Sequence, residues 1–382
     1  MPFTNGVFAN VAGATNAAAG QLIQSLVWNN IHADYSTALN MLMGQLINTP
    51  SQRNLAWMNG GFEIWQRGAG SSASIAVAAS TIAYTADRWY IATDANEAST
   101  ISAQAGLVDE SALCARVQRN AAQTGIGVIR FSYPLDSDEI AALRGNFVTL
   151  SFRTRSGATF SPTSGTLSID LFTGTGAVGK RNATPYTNEA NPIDTSVNLT
   201  TTSVLVQATS SIIVPVATTQ AEIQFSWTPV GTAGATDYFE VDDLQIEAQL
   251  SPNTWTPTSY NRLDLPTMLA GCKRHYQKSF LYGVAPAAGG GLENAITVRT
   301  TASLALGTFW ILAPELRTDP TIQTFGPTTA TSSAWLGVAS GSLIAASINL
   351  TQADAKGIFV FQGTLPGTAG LFSIHLQADA GI

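Results

Sequence analysis

Charge is what this chain has least of. Only 11% of its 382 residues are Asp, Glu, Lys or Arg, less than half the roughly 25% usual in a soluble domain. The 18 basic side chains are scattered and outnumbered by 25 acidic ones, leaving a net charge of −7. That excludes the concentrated basic face on which nucleic-acid binding depends. Soft metal ligands are scarce as well. Cys114, Cys272, His32, His275 and His375 stand far apart, and a structural zinc site needs four such ligands at close spacing. Two unpaired buried thiols are expected rather than a disulfide. No apolar run reaches the roughly 18 residues of a membrane-spanning helix. MPFTNGVFAN lacks the basic and apolar regions of a secretory leader.

In place of charge the chain carries Ala, Gly, Ser and Thr, and 45% of its residues are hydrophobic. There is ample material for a core. At roughly 150 residues per domain, two or three domains are expected. Sparse charge leaves β-edges poorly guarded against other chains, which favours an obligate assembly or a place outside the cell.

Three regions follow from texture: an N-terminal arm and helix over 1–50, a β-sandwich over 51–260 and a smaller β-domain over 261–382. From Gly20 to about Ile47 the pattern is helical, and Asn48, Thr49 and Pro50 end it. Trp28, Ile31, Tyr35, Ala38 and Leu42 alternate spacings of three and four, the seam of an oligomerising helix. Strand-like runs then appear at 149–153, 167–172, 204–207, 212–216, 223–227 and 238–246, separated by Gly, Pro, Asn and Thr clusters, the rhythm of an antiparallel sandwich. Asp136–Leu143 reads as a short helix capped by Asp136 or Ser137. Between Ser196 and Thr236 the only charged residue is Glu222. Strand candidates resume at 296–300, 303–306, 309–312, 343–350, 357–362 and 372–376.

Catalytic motifs are few. Gly174-Thr-Gly-Ala-Val-Gly-Lys180 imitates a phosphate loop, but Arg181 stands where Ser or Thr must hold magnesium, and no helix start follows. It reads as a hairpin loop. No Ser or Cys is set in a nucleophile elbow, and each His reads as structural or solvent-facing. Asp87, Asp136, Asp138, Glu139, Asp242 and Asp243 could supply a glycosidase pair, though Asp136, Asp138 and Glu139 are more simply a helix N-terminus. Aromatic clusters at Trp57, Phe62 and Trp65 and at Tyr84, Trp89 and Tyr90 suit either sugar platforms or sandwich core.

The run Asn59-Gly-Gly-Phe-Glu-Ile-Trp-Gln-Arg-Gly68, followed by Thr85-Ala-Asp-Arg-Trp89, resembles the opening of jelly-roll domains in bacteriophage and prophage tail fibres. Leu150–Arg153 looks like that family's central strand, Phe239–Glu247 like its closing strand, and Ala270–Tyr276 like the C-R-Y-Y segment after it. Ala313–Pro320 is similar to the M-R-x-x-P turn of the C-terminal β-domain. His275 stands where Tyr is usual and Leu316 where Met is usual. The segment around Val27-Trp28-Asn29 resembles the helix that precedes fibre domains. The closing strand also resembles jelly-roll carbohydrate-binding modules, which often hold a structural calcium. Glu63, Asp242 and Asp243 would be its ligands here.

The resemblance implies a virion protein, a tail fibre or spike, assembling as a homotrimer through its helix. Residues 1–50 would dock to other virion proteins, and the β-domains would attach to host surface polysaccharide without inserting into a membrane. Trp65, Trp89 and Tyr90 are the expected sugar-binding rings. The alternatives are a purely architectural virion protein (head fibre, decoration protein or tail adaptor) and a polysaccharide depolymerase. The missing solenoid repeat counts against the latter.

Overall fold

The computed structural model describes residues 59–249 and 257–381, apart from 287–289, 301–307, 329–333, 342, 346–347 and 363–369, together with a short hairpin pairing β1 (Phe3–Thr4) with β2 (Val7–Phe8). The chain divides into two compact units, Met1–Arg53 and Asn54–Ile382. The helix seam of Trp28, Ile31, Tyr35, Ala38 and Leu42 lies outside the described residues.

Within Asn54–Ile382 the chain runs β3 (Ser74–Val77), β4 (Ile82–Tyr84), β5 (Tyr90–Thr93), β6 (Ser99–Ala105), β7 (Leu113–Arg119) and β8 (Ile129–Pro134). Then come α1 (Ser137–Leu143), β9 (Phe147–Ser156), β10 (Leu167–Gly174), β11 (Ala190–Val197), β12 (Val204–Thr209), β13 (Gln220–Trp227) and β14 (Tyr238–Gln249). They form two six-stranded antiparallel sheets, ordered β11-β10-β13-β8-β5-β4 and β12-β9-β14-β7-β6-β3. This is a jelly-roll sandwich.

Period-two alternation builds its core. Ile169, Phe225, Phe131 and Ile91 stand opposite one another across the first sheet, and Ala208, Leu150 and Ile246 across the second, all buried. Phe152 meets Phe225 between the sheets edge-to-face, with ring centroids 4.9 Å apart. Glycine-rich loops at one end close on Arg119, whose fully buried guanidinium donates to six oxygens: Glu97 Oε1, Asp237 Oδ2, Ser161 Oγ and the carbonyls of Gln123, Gly125 and Gly231.

Several strand expectations need correction. Residues 212–216 are not a strand: Pro215 interrupts them, Ile212, Ile213 and Val216 are exposed, and Val214 is anchored through hydrogen bonds with Asn146 and Gly145. The candidate at 303–306 lies outside the described residues. No strand was expected over 74–134, where β3 to β8 lie, nor at 276–278, 321–325 or 334–337. Strand β11 was passed over as well. Its Pro192 removes one backbone donor, which a sheet edge tolerates.

The third region contributes α2 (Leu265–Lys273), β15 (Tyr276–Lys278), β16 (Ile296–Thr300), β17 (Thr308–Ile311), β18 (Thr321–Phe325), β19 (Ala334–Gly337), β20 (Leu343–Ala345), β21 (Ile348–Ala353), β22 (Gly357–Gln362) and β23 (Gly370–Asp379). Strand β23 organises it, pairing with β15, β16, β18 and β19. One face of β23 buries Phe372, Ile374, Leu376 and Ala378 beside Trp335. The other holds His375, also fully buried. Its Nε2 lies 3.0 Å from the Gly291 carbonyl, which only accepts, so that nitrogen carries the proton; Nδ1 lies 2.9 Å from Ser279 Oγ.

Candidate functional site

The motif behind the tail-fibre resemblance is a structural knot. Asn59 closes the turn by donating to the Ile64 and Asp87 carbonyls, while its own oxygen accepts from Ile64 N. The buried Asp87 carboxylate accepts from Gln66 N at 2.5 Å and Gln66 Nε2 at 2.7 Å. Arg88 holds Glu139 of α1 in a bidentate pair at 2.9 and 3.0 Å. Arg67 pairs with Asp379 at 2.8 Å, its guanidinium lying between the Tyr84 and Tyr276 rings at 4.2 and 4.0 Å. Tyr282 OH accepts from Trp65 N and donates to the Glu63 carbonyl. These bonds tie the sandwich to β15 and β23, so sandwich and C-terminal β-region share one compact unit.

The expected sugar platform is therefore corrected. Trp65, Trp89 and Tyr90 are all completely buried. Trp89 stacks on Phe131 at 4.7 Å, and Trp65 Nε1 donates to the Phe62 carbonyl. Tyr90 donates to Glu222 beneath the 175–189 loop, whose Asn182 caps the same hydroxyl at 2.9 Å. That loop is the Gly174–Lys180 run, and it connects two antiparallel strands as a hairpin. Rings with no exposed face cannot stack on a sugar.

The calcium set does not fit a metal either. Between Glu63 and Asp243 lies the Arg262 guanidinium, bonded to Asp243 and 3.6 Å from Glu63. Asp242 is occupied by the backbone N–H groups of Leu107 and Asp243, at 2.9 and 2.8 Å. No group of three metal-capable side chains occurs among the described residues. A cation from the chain itself stands where a metal would neutralise these carboxylates.

The remaining candidates are structural. Asp136 and Glu139 form a reciprocal capping box on α1. Cys114 and Cys272 are free and buried.

What these carboxylates frame is more informative. Strand β14 bulges: Asp242 pairs with Arg153 and Gln245 with Ser151, so Asp243 and Leu244 share the space opposite Phe152. Asp243 takes a left-handed φ of 49°, and Leu244 stays in the core. Bulges re-aim side chains, and this one turns the outer sheet face into a cleft of about 420 Å³. Its floor carries Ser151, Arg153, Asp243 and Gln245, and its walls are Leu205, Val108, Glu110 and the 257–262 segment.

That segment is pinned across the sheet. Thr258 donates to Glu247 from both its N–H and hydroxyl, and its carbonyl accepts from Gln245 Nε2 at 2.6 Å. Burial pushes the Asp242 carboxyl up to about 6 and raises Asp243 and Glu63; Arg262 and Arg153 pull Asp243 back down. The Arg153 guanidinium has no hydrogen bond or ion pair among the described residues, and Leu205 beside it is 58% exposed. Burial raises the Tyr260 phenol, so its hydroxyl stays protonated at the cleft wall. Arg153, Gln245, Tyr260 and Arg262 were not picked out in sequence as ligand groups. Arg153 belonged to the recognised central strand, but nothing in its alternation revealed a bulge opposite.

No family model matches this chain, and no curated protein matches it in sequence. Solved structures are similar in part. The carbohydrate-binding module CBM4 matches at 16% identity and a TM-score of 0.27, over 43% of this chain and 88% of that one. The CBM22-1 xylan-binding domain of Paenibacillus barcinonensis Xyn10C matches at 12% identity and 0.29, over 46% and 99%. The enzymatically active domain of bacteriophage CBA120 tailspike protein 4 matches at 10% identity and 0.28, over 50% of this chain and only 21% of that one. Likenesses of this size carry no argument for what this chain binds.

Proposed function

We propose that this chain is a glycan-binding jelly-roll protein of the phage tail-fibre or tailspike kind, attaching to host surface polysaccharide as a homo-oligomer, most simply a trimer. The observation that carries the binding reading is the bulge-made cleft. It is open and lies in the size range of small-molecule sites. It combines what a pyranose requires: the planar donors of Arg153, acceptors from Asp243 and the apolar side of Leu205. Sugar hydroxyls pair in twos with such planar groups, while ring C–H bonds rest on apolar surface. The virion setting rests on the motif resemblance over 59–89, 150–153, 239–247 and 270–276. Weak single contacts multiplied over several copies would give useful avidity without a deep pocket.

Two experiments test this. The full chain is titrated with oligosaccharides released from candidate host capsules and lipopolysaccharides, beside Arg153→Ala and Leu205→Ala. Arg153→Ala should weaken binding by roughly tenfold, the loss of a charge-assisted hydrogen bond, and Leu205→Ala, at a side chain 58% exposed, by less, with the unfolding midpoint unchanged in both. Equal binding by all three proteins would remove the cleft from the reading. Light scattering during size exclusion gives the copy number: a trimer that becomes a monomer on deleting residues 1–50 supports assembly through that segment, and a monomeric full chain overturns it.

A further inference from the structure

A second pocket, of about 430 Å³, opens between α2, the loop after β15 and the start of β16, with Gln66 in its lining. In a chain with an excess of acid, its lining holds Lys273 and Lys278 and no carboxylate. Lys278 Nζ donates to the Tyr282 and Val284 carbonyls at 3.0 and 2.6 Å; an ammonium has three N–H bonds, and the third has no partner among the described residues. The Lys273 side chain has no hydrogen bond or ion pair among the described residues. The nearby Asp87 carboxylate, hydrogen-bonded by Gln66, offsets part of the Lys278 charge and leaves Lys273 without an acidic partner among the described residues. Trp310 lines the same space and, unlike Trp65 and Trp89, keeps part of its ring exposed.

We infer that this pocket binds a carboxylate-bearing sugar, with the carboxylate between Lys273 and Lys278 and the pyranose face against Trp310. Two cations facing one nearby carboxylate leave the pocket net positive, which selects an anion. A partly exposed indole beside them adds an apolar plane that a bare anion has no use for and a sugar ring does. The inference stands on its own pocket and holds or fails independently of the sheet-face cleft.

The test is ligand-observed NMR on the full chain at neutral pH, with glucuronic acid, glucose and inorganic phosphate as probes. Glucuronate should bind saturably, and glucose on the order of tenfold more weakly, the worth of one charge-assisted contact. Lys273→Gln and Trp310→Ala, made in the Arg153→Ala background so that the sheet-face cleft does not contribute, should each weaken glucuronate by a similar factor. The thermal midpoint of Lys273→Gln, whose side chain is partly exposed, verifies its folding; Lys278→Met supplies a second cation variant. Absent glucuronate binding, equal binding of glucose, or glucuronate binding untouched by all three pocket variants overturns the inference. Phosphate displacing glucuronate at equal concentration overturns its sugar component.

Discussion

At the scale of single residues, the aromatic side chains that look most like a sugar platform are those the fold can least spare. Trp89 touches Phe62, Phe131, Tyr133 and Phe225 in one aromatic cluster. Trp89→Ala should therefore cost about 3–5 kcal/mol of stability through the cavity it leaves, read as a drop in denaturant midpoint. Arg153→Ala, at a partly exposed position, should leave that midpoint in place. The opposite ranking would mean that the ring, not the cleft, faces ligand. Composition could not separate the two cases, because Trp and Tyr serve both roles; the deciding quantity is exposure, which belongs to the packed structure. Asp87 was similarly legible as a motif member and illegible as a buried acceptor. Removing it by Asp87→Ala leaves the Gln66 backbone N–H and one of its two amide N–H bonds unpaired in the interior, the other keeping the Tyr276 carbonyl, and should destabilise by about 2–4 kcal/mol.

Elements were easier to read than the contacts between them. Alternation marked β9, β10, β13, β14 and β23 because each turns an apolar face to the core and a more polar one away, even where both are buried. Polar β11 with its Pro192, and the apolar but loop-forming 212–216, break that rule, since edges and anchored loops answer to neighbours rather than to period. The helix α1 was legible from its cap. Its coupling to the distant His275 was not: Asp136 Oδ2 also lies 3.6 Å from His275 Nε2.

The burial of His275 sets a pH dependence. Burial and the Arg88 charge hold His275 down to about 4 from 6.5, against the pull of Asp136 and the Gly381 carbonyl. The unfolded chain thus binds more protons than the folded one across that window, and this group's stabilising effect falls as pH drops from 6.5 towards 4. Asp170, raised by burial to about 6, acts oppositely, losing its contribution as pH rises from 3.8. Comparing wild type with His275→Gln isolates the histidine: the variant should lose less stability on acidification through pH 6 to 4. Parallel curves would refute the lowered titration of His275.

For the whole molecule, the contact pattern places the sandwich and the C-terminal β-region in one unit beginning at Asn54. The fragment 54–382 should then unfold in a single cooperative transition and keep whatever glycan binding the cleft has, measured per protomer by calorimetry. Two separated transitions would contradict the Arg67–Asp379 and Tyr282 ties that join the regions.

At the loop end of the sandwich, Arg119 sits in a shell of six oxygens. Oxygen shells of that size ordinarily surround a hard metal ion, whose occupancy depends on how much of it the surroundings supply. A guanidinium grafted onto β7 has no dissociation constant. The fastening of these loops is as concentrated in rainwater as in brine, no chelator can strip it, and it arrives with the chain as soon as the chain is made.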